Sequence, residues 1–183
     1  ERYPDPLRQG FEDYLSRSYG STATIGQLEK VQFFPNIVVT ARDVTMHNRS
    51  NAAVIDIAVD YIDIKAPFTS MIFGTGKIKN LDIRNLTAAE NFILPKALNI
   101  QNLSIMEKNG PEQYGAFLTA DGEYAGQKMS LQAELEKVGD LYKVGQSIPF
   151  SLSLGGAVIN AQMVKDRGGK VLLKNAVYIA SGK

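Results

Sequence analysis

The chain of 183 residues carries 20 basic and 19 acidic residues, a net charge of +1, and it contains no cysteine. Disulfides and thiolate chemistry are therefore excluded, and the lack of clustered Lys and Arg argues against a nucleic-acid partner. The sequence has no run of about 18 apolar residues, which is the length that a membrane-spanning helix needs.

The first predicted element is a helix over about residues 5–18. Asp5 is a typical N-cap and Pro6 is favoured in the first helical turn, while Gly20 is a common stop signal. A single apolar stripe at helical spacing is formed by Leu7, Phe11, Tyr14 and Leu15. We expect this helix to pack over a sheet and to close one end of it.

Period-two alternation, which is typical of strands with one buried face, dominates the rest of the chain. The first clear case places these apolar residues on one face: Ile55, Ile57, Val59 and Tyr61. The parity then slips at Ile62, which indicates a β-bulge. The cleanest alternation covers residues 128–136, as the second strand of a hairpin that turns at residues 125–127.

Breaks in the alternation predict the turns between strands. Residues 67–73 interrupt the pattern, and we interpret them as a short helical turn or loop that caps the sheet. Glycine pairs at residues 155–156 and 168–169 are typical of hairpin turns. We find no linker, low-complexity tract or composition shift, so we predict a single domain over residues 1–183.

One short pattern, I-x-N-L-x-I, occurs at Ile78–Ile83 and again 22 residues later at Ile100–Ile105. Looser versions occur at Ala41–Met46 and Leu173–Tyr178. The first two apolar residues of each copy are three apart, so an ideal strand would place them on opposite faces. An amide or acid at this break predicts a β-bulge, which bends and twists the strand. The alternative is that these are unrelated buried strands.

These patterns predict a mainly β fold with a few helices. The bent antiparallel strands should form a curved, taco-like sheet, and the N-terminal amphipathic helix should pack on it or cap it. The strand pattern leaves open which face of each strand points inward, because every predicted bulge changes the parity.

Candidate catalytic and metal-binding residues are few. His47 is the only histidine, and no strand-to-helix elbow presents a serine to it. Of the aspartates Asp56, Asp60 and Asp63, the first two would lie about 13 Å apart along a strand at roughly 3.3 Å per residue, whereas a calcium site needs six or more converging oxygens. We therefore predict no catalytic residue, no metal site and no cofactor, and a function that is not enzymatic.

The order of elements is similar to that of a known family in three places. Within residues 20–44, a glycine after the helix, a strand, Pro35 and a strand containing Asp43-Val44 follow one another. Residues 52–80 join an alternating strand, a Pro-containing cap, a glycine and an I-x-x-L-x-I strand. The third place combines the G-x-Y-x-G hairpin within residues 121–131 with the P-F-x-L-x-L strand at residues 149–154. In these features the chain resembles the AsmA-like family of bacterial envelope proteins.

The resemblance implies the N-terminal periplasmic portion of such a protein, anchored to the inner membrane by a segment that would precede Glu1. It also implies an apolar groove that binds or guides the acyl chains of phospholipid or another lipid in outer-membrane biogenesis; a protein partner is not specified. The expected groove residues are Ile55, Ile57, Val59, Ile78, Leu81, Ile83, Ile100, Leu103, Ile105, Met129, Leu131 and Leu135. The alternative is a structural or protein-interaction domain of the cell envelope whose core is filled by its own side chains.

Overall fold

A computed structural model describes residues 5–19, 21–48, 56–69, 78–90, 95–109, 114–168 and 170–180. Helix α1 spans Asp5–Tyr19, and a 3₁₀ helix spans Val138–Tyr142. The strands are β1 (Ser21–Gln32), β2 (Asn36–Asn48), β3 (Asp56–Pro67), β4 (Asn80–Ala88), β5 (Leu98–Asn109), β6 (Tyr114–Tyr124), β7 (Gln127–Leu135), β8 (Ser147–Leu154), β9 (Ala157–Lys165) and β10 (Val171–Ala180).

The ten strands form one antiparallel sheet in which every strand pairs with the next along the chain. The sheet is curved and does not close on itself, and α1 packs against it, so the predicted fold class is confirmed. Two of the predicted hairpin turns are also present. Ala125 and Gly126 join β6 to β7, and Gly155 and Gly156 join β8 to β9, all four with positive φ. Positive φ at both central residues gives the type I′ geometry that suits the twist of a hairpin.

The breaks in alternation line up across the first five strands. At one level of the sheet, consecutive strands place the following residues opposite one another: Gly26, Asp43, Asp60, Asn85 and Gln101. Asp43 and Asn85 have φ values of 52° and 51°, the left-handed conformation in which Asn and Asp are enriched. We call this line of residues the break row. The inward-facing residues on either side of it are three apart along each strand.

The structure confirms most of the predicted breaks and corrects one. Asp43 lies in the break row, the register of β5 with β6 shifts between Ile100 and Asn102, and Asn175 has a φ of 51° beside a further shift in β10. The break predicted at Asn80 is wrong. β4 only begins at Asn80 and runs in unbroken register as far as Arg84, so its break falls at Asn85 instead.

Two apolar clusters form the core on one face of the sheet. The first joins Ile25, Val44 and Val59 to residues of α1, including Phe11 and Leu15. Tyr14 was predicted to share their stripe, but its side chain is 68% exposed. The prediction fails there because α1 makes its main contacts with β1, so only a narrow strip of the helix is buried.

The second cluster surrounds Val138 of the 3₁₀ helix, which is 1% exposed and packs with Ile105, Leu135 and Ile148. The segment predicted to cap the sheet, residues 67–73, follows β3. β3 ends at Pro67 and residues 68–69 are helical, whereas residues 70–73 lie outside the described residues.

Helix α1 also covers the free edge of β1. The carboxylate of Glu12 accepts a hydrogen bond from the backbone N–H of Ile25, and the hydroxyl of Ser16 accepts one from Ala23. Arg8 donates to the carbonyl of Ile25. Edge strands that are covered in this way cannot pair with another chain. At the opposite edge, every residue of β10 is exposed, and β10 pairs with β9 alone among the described strands.

Candidate functional site: the apolar face of the sheet

The apolar side chains of seven strands, β3 to β9, are aligned in rows that cross the sheet. In each row, consecutive residues are directly opposite one another on neighbouring strands. The central row is Ile62, Ile83, Leu103, Ala120, Leu131, Leu152 and Ile159. The row nearer the 3₁₀ helix is Ile64, Leu81, Ile105, Leu118, Ala133, Phe150 and Ala161. The third row is Val59, Leu86, Ile100, Gly122, Met129, Leu154 and Ala157.

These three rows form a surface that we call the trough. It contains no polar or charged side chain. Six spacings of about 4.8 Å between seven strands give the trough a span of roughly 29 Å across the strands. A polar side chain in this surface would lose its hydrogen bonds with water when an apolar ligand covered it, which would cost free energy of binding. An uninterrupted apolar surface of this size therefore suits an apolar ligand.

The sheet is curved, and among the described residues no second layer covers the centre of the trough. The main contacts of α1 are with β1, and those of the 3₁₀ helix are with β5 and β7. Ala120 and Ala161 are nevertheless only 3% and 6% exposed. We infer that the curvature brings neighbouring side chains over these small residues. Leu103, Leu131 and Leu152 remain partly exposed, which leaves apolar surface available for contact.

The opposite face of the same strands is polar. On this face the ring of Tyr61 lies between the guanidinium groups of Arg42 and Arg84, 5.3 and 4.8 Å from its centroid. Glu29 pairs with Arg42, and Asp82 pairs with Arg84. The hydrogen bond that Arg42 donates to Glu29 raises the pKa of Arg42, and desolvation raises the pKa of Tyr61. An antiparallel sheet commonly has one apolar face that packs against other groups and one polar face that contacts solvent.

One buried charge supports the end of the trough beside the 3₁₀ helix. The carboxylate of Asp140 is 1% exposed and accepts hydrogen bonds from Lys143 Nζ at 2.6 Å and from the backbone N–H of Lys137 at 3.1 Å. The hydrogen bond from Lys143 is the largest of the effects that lower the pKa of Asp140, and desolvation opposes it. The pair holds the 3₁₀ helix in place, and Val138 of that helix packs over the apolar cluster.

Ten of the twelve residues expected to line a groove lie on the apolar face. Eight of them are in the three rows, and Ile57 and Leu135 extend that face. Ile105 and Leu135 are buried in the cluster around Val138. Ile78 precedes β4 and packs against the same cluster, and Ile55 lies outside the described residues.

Several trough residues were missed by the sequence reasoning, including Leu86, Leu118, Leu152, Leu154 and Ile159. The alternation of residues 150–154 and 157–163 carried the signal for the last three. Their assignment to the same face as Leu131 needs the register between β7, β8 and β9, which is a tertiary property.

Two open concavities are lined by residues of both faces of the sheet. One, of about 450 Å³, is lined by polar residues such as Gln132 and Gln162 together with Ala133, Phe150 and Ala161 of the trough. The other, of about 350 Å³, is lined by residues that include Glu123 and Lys128. Their mixed polar lining distinguishes them from the trough.

The polar residues considered as catalytic or metal-binding candidates have separate partners. His47 Nδ1 lies 2.9 Å from Asp56 Oδ1, with both side chains exposed. Asp60 accepts a hydrogen bond from Asn85, and Asp63 accepts one from Thr40. Within the described ranges, no group of three or more His, Asp or Glu side chains is placed to hold a metal ion.

Comparisons with protein-family models, with curated proteins and with solved structures found no match for this chain. In the part of the chain that the structure describes, no helix has both the length and the apolar character needed to cross a bilayer.

Proposed function

We propose that this protein binds or guides lipid acyl chains in the trough. The observation that carries the proposal is the set of three apolar rows that cross seven strands without a polar side chain. Burial is worth about 0.8 kcal/mol per CH₂, so a chain of roughly 15 methylenes gains on the order of 12 kcal/mol by staying out of water. A continuous apolar surface supplies most of that gain without any reactive group.

The chemistry of the trough favours recognition of the acyl chain over recognition of a particular headgroup. Its 21 positions offer no hydrogen-bond donor or acceptor side chain, so a polar headgroup would remain at the rim in water. The curved sheet also holds its apolar side chains in fixed positions, which lowers the ordering cost of binding. We therefore expect binding that depends on acyl chain length more than on headgroup type.

The resemblance to AsmA-like proteins extends this proposal to a biological role. Under it, the chain is a non-enzymatic periplasmic module that is held at the inner membrane and takes part in phospholipid transport for outer-membrane biogenesis. The order of helix, bent strands and hairpins within residues 5–154 supports this extension.

A structural or protein-interaction role is the second candidate, and a specific observation favours it. α1 and the 3₁₀ helix bury the two ends of the apolar face. β10 presents an exposed edge that could pair with a strand of another protein. In this role the trough would bind no ligand.

The test compares two neighbouring substitutions on opposite faces of β7. Leu131→Glu places a charge in the trough, whereas Gln132→Glu places one on the exposed polar face. We expect a fluorescent acyl probe to bind the wild type and the Gln132 variant equally, and to bind the Leu131 variant at least tenfold more weakly. Leu131→Thr, which keeps strand propensity, serves if the charged variant does not fold.

Mass spectrometry of protein purified from bacterial membranes provides an independent measurement. We expect co-purified phospholipid on the wild type and a marked loss of it on the Leu131 variants. Protein that carries no lipid and binds no acyl probe would overturn the proposal, as would equal probe binding by the Leu131 and Gln132 variants.

A further inference from the structure

The hairpin between β1 and β2 ends in two exposed aromatic residues. Phe34 is 76% exposed and Phe33 is 44% exposed. Asn36, the first residue of β2, pairs with Pro67 at the end of β3. This pairing places Phe68 next to the turn between β1 and β2. The rings of Phe34 and Phe68 form an edge-to-face contact with centroids 6.1 Å apart. We call Phe33, Phe34 and Phe68 the aromatic tip.

The chain around the aromatic tip contains cations and no acidic residue. Among the described residues, 30–41, 64–69 and 78–81 include Lys30, Lys65 and Lys79, but no Asp or Glu. The backbone N–H of Lys79, which immediately precedes β4, donates to the carbonyl of Lys65 in β3 at 2.8 Å, so the two residues are neighbours. The acidic residues of β1 to β4 all lie farther from the tip along their strands: Glu29, Asp43, Asp56, Asp60, Asp63 and Asp82. The described ends of these strands next to the tip therefore carry lysines without a neighbouring acidic residue beyond Glu29, whereas Arg42 and Arg84 lie farther along and are paired with Glu29 and Asp82.

An apolar path leads from the aromatic tip to the trough. Ile37 and Ala66 are directly opposite each other, just inside the tip. The next inward pair is Val39 and Ile64, and Ile64 begins the row of the trough that is nearer the 3₁₀ helix. A lipid acyl chain that entered at the tip would therefore contact only apolar side chains on this face before it reached the trough.

We infer that the aromatic tip docks the protein on a bilayer that contains anionic phospholipid. Exposed aromatic rings are stable at the boundary between headgroups and acyl chains, and lysines are attracted to anionic headgroups. Docked in this way, the sheet stands on the membrane with the start of the trough facing the lipid. The role of docking in lipid uptake rests on the proposed function, whereas docking itself depends only on the tip.

The experiment measures flotation of the protein with vesicles. Phosphatidylcholine vesicles containing phosphatidylglycerol are compared with vesicles of phosphatidylcholine alone, at low and at high salt. We expect the wild type to float with the anionic vesicles, to float several-fold less with the neutral ones, and to be released by salt because the lysine contribution is screened. Equal flotation with both vesicle types, or no flotation at all, would overturn the inference.

Matched variants separate the aromatic contribution from the ionic one. Phe33→Ser with Phe34→Ser removes two exposed rings, and Tyr14→Ser removes an exposed ring from α1 as the control. We expect the double variant to lose at least tenfold in vesicle affinity and the control to keep wild-type affinity. Lys30→Gln with Lys65→Gln should weaken binding to anionic vesicles, whereas Lys96→Gln with Lys128→Gln, at the opposite ends of the strands, should not. Unchanged binding by both tip variants would contradict the inference.

Acyl-probe binding in the absence of vesicles distinguishes this inference from the proposed function. The Phe33 and Phe34 variant should bind the probe like the wild type, because its trough is intact. If the wild type docks on vesicles but binds no probe, the proposed function fails and the docking inference stands. If it binds the probe but does not dock, only the docking inference fails.

Discussion

The carboxylate of Glu12 in α1 accepts a 2.7 Å hydrogen bond from the backbone N–H of Ile25 in β1. This contact occupies a donor on the free edge of the first strand, while the last strand of the sheet has no such cover among the described residues. The edge formed by β1 is therefore covered and the edge formed by β10 is exposed, and this difference can be tested.

Removal of the Glu12 carboxylate should destabilise the protein. We expect Glu12→Ala to lower the free energy of unfolding by about 1.5–3 kcal/mol, the range for a hydrogen bond to a charged group. Urea unfolding followed by circular dichroism gives this value. Asp13→Ala, one position along the helix, removes an exposed carboxylate that pairs with Arg17 and should change the stability by less than about 0.5 kcal/mol. Equal losses in the two variants would show that Glu12 does not stabilise the β1 edge.

The two exposed faces of β10 should promote self-association. Leu173 and Tyr178 are 62% and 65% exposed, and Lys174 is the only charged residue of the strand. Leu173→Lys with Tyr178→Lys should reduce concentration-dependent association, because charges on an edge strand oppose pairing. Light scattering over a concentration series measures the effect, and Tyr14→Lys on α1 is the control. No change relative to that control would contradict the prediction.

Gly122 should not tolerate a side chain. A Cβ atom at this position would lie 2.1 Å from the carbonyl oxygen of Asn99 and 2.7 Å from the Cα of Ile100, where β5 approaches β6 at the register shift. We expect Gly122→Ala to lower the free energy of unfolding by about 1–3 kcal/mol through overpacking. Gly10→Ala is the contrasting variant, since its Cβ would meet nothing within 4 Å. In the helix interior it should stabilise by about 0.5–1 kcal/mol. If thermal unfolding showed a change in stability of the same sign for both variants, this account would be refuted.

The Asp140–Lys143 pair makes the free energy of unfolding depend on pH in the acidic range. The hydrogen bond from Lys143 holds the pKa of Asp140 below the ordinary value of a carboxyl group. A group whose pKa is lower in the folded state stabilises the protein fully above its unfolded pKa, about 3.9. That contribution is lost as the pH falls through the lower folded pKa, because the folded carboxylate must then be protonated.

Asp140→Asn provides the measurement of this effect. The wild type should be more stable than the variant near neutral pH, and the difference should shrink as the pH is lowered below about 4. Urea unfolding at a series of pH values records both curves. A difference that stays constant on acidification would exclude Asp140 as its source.

Local patterns in the sequence were sufficient to predict the elements themselves. The caps and apolar spacing at residues 5–18 identified α1, and the alternation at residues 128–136 identified β7. The polar residues at breaks in the apolar spacing located the breaks at Asp43 and Asn175 and the register shift between Ile100 and Asn102. These predictions succeeded because each depends on residues within a few positions of one another, whose backbone and side-chain preferences act locally.

What only the tertiary structure decided is how the strands match one another. Asn80 and Asn85 both precede a leucine, and sequence alone does not show which of them lies opposite Asp60 in the break row. The trough likewise exists only because the register places Leu131 between Ala120 and Leu152. Register is set by contacts between residues far apart in the chain, and a shift of one position would turn every apolar side chain of a strand to the other face.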